Sequence, residues 1–328
     1  MRILITGGAG YIGGAFLRKA REAGHEAAVI DNLRTGWRDA LPRDVEFIHA
    51  DIRERDRLEP LLARCDAVVH FAALSIVADS IADPVGYYRE NLGAFLALLE
   101  GIKACGPSRL IFSSSAAVYG AGCGRPFAES DPCLPVNPYG GTKLAMEQTL
   151  THAAPALGLG YFCLRYFNAA GALADHGERH EPETHLIPLA LQAAQGKRRL
   201  TVFGRDYDTP DGSCIRDYIH IADLAEAHLA ALAAIDAGAS GILNLGTGRG
   251  HSVLEVIAAV ERVTGRVLPV SDGPRREGDP ARLVAAVGEA QRVLGWRANR
   301  PHLDEIVESA WSRLITGEGP GAPGPPGA

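Results

Sequence analysis

Tyr139 and Lys143 stand four residues apart in a Y-x-x-x-K pattern. On a helix such residues share one face, so a phenol and an ammonium can serve one site. Asn137-Pro138 just before them reads as an N-cap followed by a first-turn proline. Pro155 predicts the end of the helix about four turns later. A free tyrosine, with a pKa of about 10, is a poor base at neutral pH. A cation beside it favours the phenolate and makes it a usable one. The pattern by itself also fits surface or packing residues, so its meaning depends on its company.

A second constellation opens the chain. Ile3-Leu4-Ile5 is a short apolar run, followed by Thr6-Gly7-Gly8 and then Gly10, Tyr11, Ile12 and Gly13, which start a helix expected to reach about residue 23. Strand, glycine turn and helix in that order form the context of a dinucleotide site. Glycines let the backbone approach a pyrophosphate, and the helix N-terminus favours its charge. The spacing G-x-x-G-x-x-G is one residue wider than the commonest fingerprint. Asp31 closes a second apolar run at 27–30 and lies 18 residues past Gly13. That is close to the spacing of about 20 at which an acid accepts a hydrogen bond from a ribose 2′-hydroxyl. An acid there repels a 2′-phosphate, so NAD is expected over NADP, with Arg34 the nearby cation that argues the other way. A bound nicotinamide cation would act on Tyr139 in the same direction as Lys143.

Such residues need a scaffold to bring them together. Further strands are expected at 45–50, 67–71, 109–112 and 161–166, alternating with helices. Residues 1 to about 170 therefore predict an α/β fold with a doubly wound parallel (Rossmann) sheet, whose ligands lie at the carboxyl ends of the strands. Asp51 and Ile52 follow the third strand, where Asp51 faces an adenine or caps the strand end. Phe71, Ala72 and Ala73 follow the fourth, and small residues there suit the close passage of a cofactor. His70 reads as a core or strand-end histidine. A helix carrying Tyr87, Tyr88 and Asn91 comes next. The fifth strand runs into Ser113-Ser114-Ser115, which puts Ser115 at the same edge as the Tyr139 helix.

After Asn168 the pattern loosens. Residues 170–184 read as a polar loop lining a site, 186–195, 221–237 and 252–264 as helices, 202–204 and 242–245 as strand, and 208–214 as short strand and turn. The expected division is a dinucleotide-binding domain at 1–169 and a smaller mixed α/β substrate-binding domain at 170–316, some segments of which return to the first. A Gly/Pro/Ala tail at 317–328 is expected to be disordered.

Composition narrows the function class. Apolar residues make up 47%, charged residues 22%, and the net charge is -6. That mild acidity argues against nucleic acid or an anionic membrane as the main partner. Six cysteines without a C-x-x-C pair fit neither a zinc site nor a disulfide framework. Arg2 opens straight into an apolar run, so no signal peptide is expected, no apolar stretch approaches a membrane span, and a cytoplasmic location is the default. His176, Glu178, His180, Glu181, Glu183 and His185 cluster without an H-E-x-x-H, and a solvated loop without metal is the expectation.

Taken together, residues 6–13, Ser113-Ser114-Ser115 and Tyr139…Lys143 resemble an extended short-chain dehydrogenase/reductase. Within that superfamily the chain is most similar to the UDP-glucose (UDP-galactose) 4-epimerase family. The supporting strings are residues 31–36, 114–120, 137–140, 164–168, 216–220 and 276–279, and the resemblance runs from residue 3 to Trp296. Ala116-Ala117 stands where related dehydratases carry an Asp-Glu pair, which speaks against dehydration. The resemblance implies that Tyr139 takes the sugar 4-hydroxyl proton, that Lys143 binds the nicotinamide ribose and that Ser115 relays the proton. It implies transient oxidation at C4 by tightly bound NAD, rotation of a 4-keto sugar and hydride return. Cofactor contacts are expected from Gly7, Gly10, Tyr11, Ile12, Gly13, Asp31, Asn32, Asp51, Ile52, Phe71, Ala72, Ala73, Asn91, Ser113 and Tyr166, besides Tyr139 and Lys143. Phe167, Asn168, His185, Leu186, Arg216, Arg276 and Asp279 are expected to hold the UDP, with Leu283 at the size-gating position of the sugar pocket. The resemblance further implies a homodimer formed through two helices of the first domain. Departures are Ala117 where a threonine is frequent, Ser75 where some members have a lysine, and His185 where an asparagine is found. Leucine at 283 leaves open whether N-acetylated sugars are accepted, and pentose or uronate substrates remain alternatives. A non-catalytic NAD-sensing protein would have no need of the Tyr139/Lys143 pair.

Overall fold

The structure, a computed structural model, describes residues 1–317 except 123 and 277. The expected tail lies outside them apart from Gly317, which ends the last helix. Apolar runs form strands β1 (Arg2–Thr6), β2 (Glu26–Asp31), β3 (Glu46–His49), β4 (Ala67–His70), β5 (Arg109–Ser115) and β6 (Gly160–Tyr166). Shorter strands follow as β7 (Asn168–Ala170), β8 (Leu200–Phe203), β9 (Ile215–His220), β10 (Gly241–Leu245), β11 (Gly250–Ser252), β12 (Val270–Gly273) and β13 (Arg282–Leu283). Seven of these make one parallel sheet in the order β10-β6-β5-β4-β1-β2-β3.

Both faces of that sheet are covered, which is why its strands read as continuous apolar runs rather than alternating ones. Ile3 and Ile5 pack one way, against Phe16 and Leu17 of the Tyr11–Glu22 helix. Leu4, Ile30 and Val68 pack the other way, against Leu58, Leu61 and Phe95. Each such side chain, taken from water, contributes about 1.5–3 kcal/mol. A third cluster, built by helices Leu186–Ala194, Val253–Thr264 and Leu303–Gly317 with β8 and β9, forms the smaller unit.

Two segments from beyond residue 170 return to the first sheet. Strand β10 pairs with β6, and the Ile221–Asp236 helix shares the core of the Tyr11–Glu22 helix. Three local expectations are revised. The Tyr139 helix runs from Pro138 to Leu157 and stops at Gly158, in the left-handed region, rather than at Pro155. So close to the end, a missing proline N–H leaves a single carbonyl without its helical donor. The helix expected around Asn91 contains a π turn, Arg89–Gly93, that turns the Asn91 amide toward Leu74 and Thr142. Residues 208–214 are turn, and the strand begins after them as β9. That strand is buried throughout although it holds Arg216, Asp217 and His220, because each polar side chain has a partner.

The Tyr139 helix is fixed to the sheet by a buried ion pair. Arg165 on β6 reaches Glu147 with Nε (2.9 Å) and Nη2 (2.6 Å). Its Nη1 donates to the Tyr119 hydroxyl at 2.9 Å, which donates in turn to Asn244 on β10 at 2.7 Å. Ser114 of β5 donates to the same carboxylate. Removing one partner leaves an uncompensated buried charge, which costs about 3–5 kcal/mol. Arg165→Met is therefore expected to lose that much unfolding free energy in urea titrations, and Arg165→Met/Glu147→Leu to recover most of it.

Candidate active site

The glycine turn sits where the strand order reverses, between β1 and β4. In such sheets ligands occupy that crevice. Gly7 has φ +72°, and a Cβ on it would meet the Ala72 backbone N at 2.5 Å, so the two loops touch across the crevice. A Cβ on Gly13 would meet the Gly7 carbonyl at 2.3 Å, whereas one on Gly10 would meet only that oxygen, at 3.3 Å. The fold thus requires glycine at 13 but not at 10. The surface at Gly10 is left bare for a close-lying group. Gly10 gives the Tyr11–Glu22 helix no side-chain cap, and the first turn holds no acid. Its N–H groups and dipole therefore suit a pyrophosphate.

Asp31, at the end of β2, accepts from Ala9 N (3.0 Å) and Leu33 N (2.8 Å). Burial raises its pKa against the pull of those bonds. Arg34, the cation that argued for NADP, is turned to Glu90 at 3.6 Å. Asn32 donates to Asp51 at 3.3 Å, and Arg53 holds the same carboxylate at 2.7 Å, so Asp51 is an ion-pair partner at the strand end. Ile52 is buried, and the Phe71 ring packs against Phe16 and His228. Ala72 and Ala73 are half-buried on the facing loop. His70 is enclosed, its Nδ1 2.7 Å from Thr6 Oγ1, and burial holds its pKa down at about 3.

At the far side of the crevice the three serines of β5 meet the Tyr139 helix. Asn137 caps it by accepting from Gly140 N at 2.9 Å. Lys143 Nζ donates to the Ser113 carbonyl at 2.7 Å and lies 5.9 Å from the Tyr139 ring centre. Ser115 neighbours the Tyr139 phenol, and its Oγ accepts from Ala117 N at 3.1 Å. Burial raises the Tyr139 pKa, and the neighbouring Ser115 only partly offsets this. Burial also lowers Lys143 to about 7. The sequence expectation was a phenol drawn down by its ammonium. In this structure the ammonium is aimed at Ser113 instead, and the enclosed site disfavours charge on both groups. The Tyr166 hydroxyl lies 3.2 Å from His228 Nε2.

The residues expected at the UDP come from β7, β9, β13 and the segments flanking them. Arg216 on β9 forms an ion pair with Asp279, and Leu283 on β13 stands in register with Arg216. The Arg276 guanidinium lies over the Phe203 ring at 4.2 Å. Phe167 is buried with Tyr119 and Phe127, and Asn168 pairs with Tyr218. Leu186 opens its helix directly after His185. His185 is bonded to Glu183 at 2.8 Å.

The loop ahead of it differs in part from expectation. Arg179, Glu181, Pro182, Thr184 and His185 are exposed as expected, but His176 is buried against Gly14, with Nε2 2.6 Å from the Tyr11 carbonyl. Tyr11 donates to the Gly171 carbonyl at 2.6 Å, and Trp37 Nε1 donates to the Arg179 carbonyl at 3.1 Å. The loop is strapped across the dinucleotide turn. Sequence reasoning passed over Glu147, which the four-residue spacing after Lys143 could have flagged. It also passed over Asp217, whose carboxylate holds the turn at Thr247 N (2.8 Å) and Gly248 N (3.0 Å).

A glycine turn at the switch point, an acid closing β2 and a Ser-Tyr-Lys set at the end of β5 define a dinucleotide-dependent enzyme built on a doubly wound sheet. The chain belongs to the NAD-dependent epimerase/dehydratase family, whose model matches residues 3–246. It is 48% identical over 318 residues to a UDP-glucose 4-epimerase of Halalkalibacterium halodurans, with 95% of each chain covered. The Brucella ovis UDP-glucose 4-epimerase in complex with NAD superposes with a TM-score of 0.91 at 43% identity, covering 94% of this chain and 97% of that one. The Bifidobacterium longum enzyme in complex with NAD+ and UDP gives 0.91 at 36% identity, covering 96% and 98%. The protein is accordingly an NAD-dependent enzyme, and among the described residues no helix is long and apolar enough to cross a membrane.

The two glycines separate folding from cofactor binding. Gly10→Ala is expected to keep the wild-type melting temperature and lose co-purified NAD. Gly13→Ala is expected to lose NAD and also melt several degrees lower, because the clash with Gly7 costs about 1–3 kcal/mol. Thermal scans and NAD release on acid denaturation check both.

Proposed function

We propose that this protein interconverts UDP-glucose and UDP-galactose, inverting C4 of the hexose while NAD stays bound. The observation that carries this reading is the meeting of Ser115, Tyr139 and Lys143 at the end of β5, beside the dinucleotide turn. NAD, when bound, supplies the hydride acceptor for C4 and the donor for its return. Tyr139 takes the 4-hydroxyl proton and gives it back to the 4-oxygen of the inverted sugar, so the protein ends as it began. Ser115, next to that phenol, passes the proton and holds the 4-oxygen. Lys143 supplies positive charge and a ribose contact on the same helix face. Arg216 and Arg276 offer guanidinium forks to the diphosphate, and Asp279 pre-sets the first of them. The names of the relatives, and UDP in one structural neighbour, support the substrate class.

The homodimer is part of the same reading. Ile81, Val85, Tyr88 and Leu96 are exposed along the segment running from the Val77–Ala82 helix into the Ala94–Cys105 helix. An exposed apolar set of this kind suits a two-fold contact between copies.

Incubation of the purified protein with UDP-galactose and no added NAD is expected to yield UDP-glucose. Tyr139→Phe is expected to lower turnover at least about a hundredfold without loss of bound NAD. Wild-type turnover in that variant would overturn the assignment. Val85→Glu/Leu96→Glu is expected to run as a monomer in light scattering, where the parent runs as a dimer.

A further inference from the structure

We infer that His180, Glu183 and His185 form a binding site for one divalent transition-metal ion of the zinc class, apart from Ser115, Tyr139 and Lys143 but sharing His185 with the residues expected at the UDP. One donor atom from each of the three residues lies within 4.8 Å of the other two. Two imidazoles and a carboxylate are the donor set of Zn2+, Co2+ or Ni2+ rather than of Mg2+ or Ca2+, which take oxygen.

The surroundings of these donors point the same way. His180 Nδ1 lies 3.0 Å from the Pro182 carbonyl. A carbonyl only accepts, so Nδ1 carries the ring proton and Nε2 keeps its lone pair. Metal-ligating histidines are commonly held this way, with the other ring N–H given to a carbonyl. Glu183 is oriented as well, its Oε1 accepting from Thr184 N at 2.7 Å and His185 N at 2.8 Å. The same oxygen lies 2.8 Å from His185 Nδ1, the distance of two donors bridged by a proton. A metal ion takes the place of that proton and releases it on binding.

A second carboxyl group stands beside the set. Glu178, largely enclosed, stands 4.0 Å from His185 Nδ1, so two carboxylates face one imidazole. Arg179 does not offset them, because it is turned to Asp39 at 3.0 Å and over the Trp37 ring at 4.6 Å. On the neighbouring helix the group that faces the carboxylates is the Tyr11 phenol. The His180 ring meets His185 edge-on, with centres 5.7 Å apart. Tetrahedral zinc places its donors about 3.4 Å apart. The His185 side chain is 49% exposed and has room for the rotation that closes the set. Glu178 is then at hand as a fourth donor, or water completes the shell.

The test uses untagged full-length protein, dialysed against a chelator and then titrated with Co2+. The expected result is a visible d–d absorption band that saturates at one equivalent and is abolished by Zn2+. His180→Gln and Glu183→Gln are each expected to weaken Co2+ binding at least about tenfold. Their metal-free melting temperatures and NAD content are expected to match the parent, which separates lost ligation from lost folding. Absence of a saturable band at millimolar Co2+ would overturn the inference, as would an unchanged band in the His180→Gln/Glu183→Gln double variant. Neither readout depends on the epimerase assignment.

Discussion

Everything at the active-site edge depends on how the Tyr139 helix is phased against β5. Three successive serines of that strand meet three turns of the helix. The Ser113 carbonyl takes Lys143, Ser114 takes Glu147, and Ser115 stands beside Tyr139. The middle contact belongs to the Glu147–Arg165 pair, the most deeply enclosed ion pair described in the molecule. Such a pair contributes little net stability, because desolvation offsets its attraction. What it supplies is angular definition. A helix rolled by one residue would turn Glu147 away from Arg165, and the same roll would carry Tyr139 off Ser115.

The electrostatics of that edge follow from enclosure. Burial moves Tyr139 and Lys143 in opposite directions, each toward its neutral form. A phenolate facing an ammonium is thus disfavoured until other charge enters the crevice. The uncapped helix start at Gly10 suits an anion, and Arg216 on β9 is held by Asp279. That arrangement suits a reaction in which the protein returns to its starting state after each cycle.

Much of this was legible in the residues alone, for a definable reason. A parallel sheet covered on both faces announces itself as apolar runs, and β1, β2, β4, β5 and β6 all lie where those runs stand. The glycine turn and the Y-x-x-x-K helix were legible because each is local. Strand β9 was hidden, since Arg216, Asp217 and His220 break its apolar signal while their partners lie tens of residues away in Asp279 and Thr247. The strap over the dinucleotide turn was hidden for the same reason. A polar, histidine-rich stretch reads as solvated until its contact with Tyr11, some 165 residues earlier, is known. Glu147 combined both cases, its position local to the helix and its partner Arg165 remote.

The pairing of β10 with β6 bears on how the chain is made as well as on how it is held. The dinucleotide half lacks its outer strand, and the Ile221–Asp236 helix that covers Phe16 and Leu17, until the chain has passed residue 245. On a ribosome, which emits residues in order, the first half must wait with one sheet edge open and one apolar face bare. Closure then joins segments far apart in sequence, a slow class of contact. The two halves are better regarded as one cooperative folding unit than as modules that could be exchanged. A fragment cut at residue 169 would carry the glycine turn, the three serines and Lys143, yet would lack the Asn244 end of the buried network that ties the catalytic edge together.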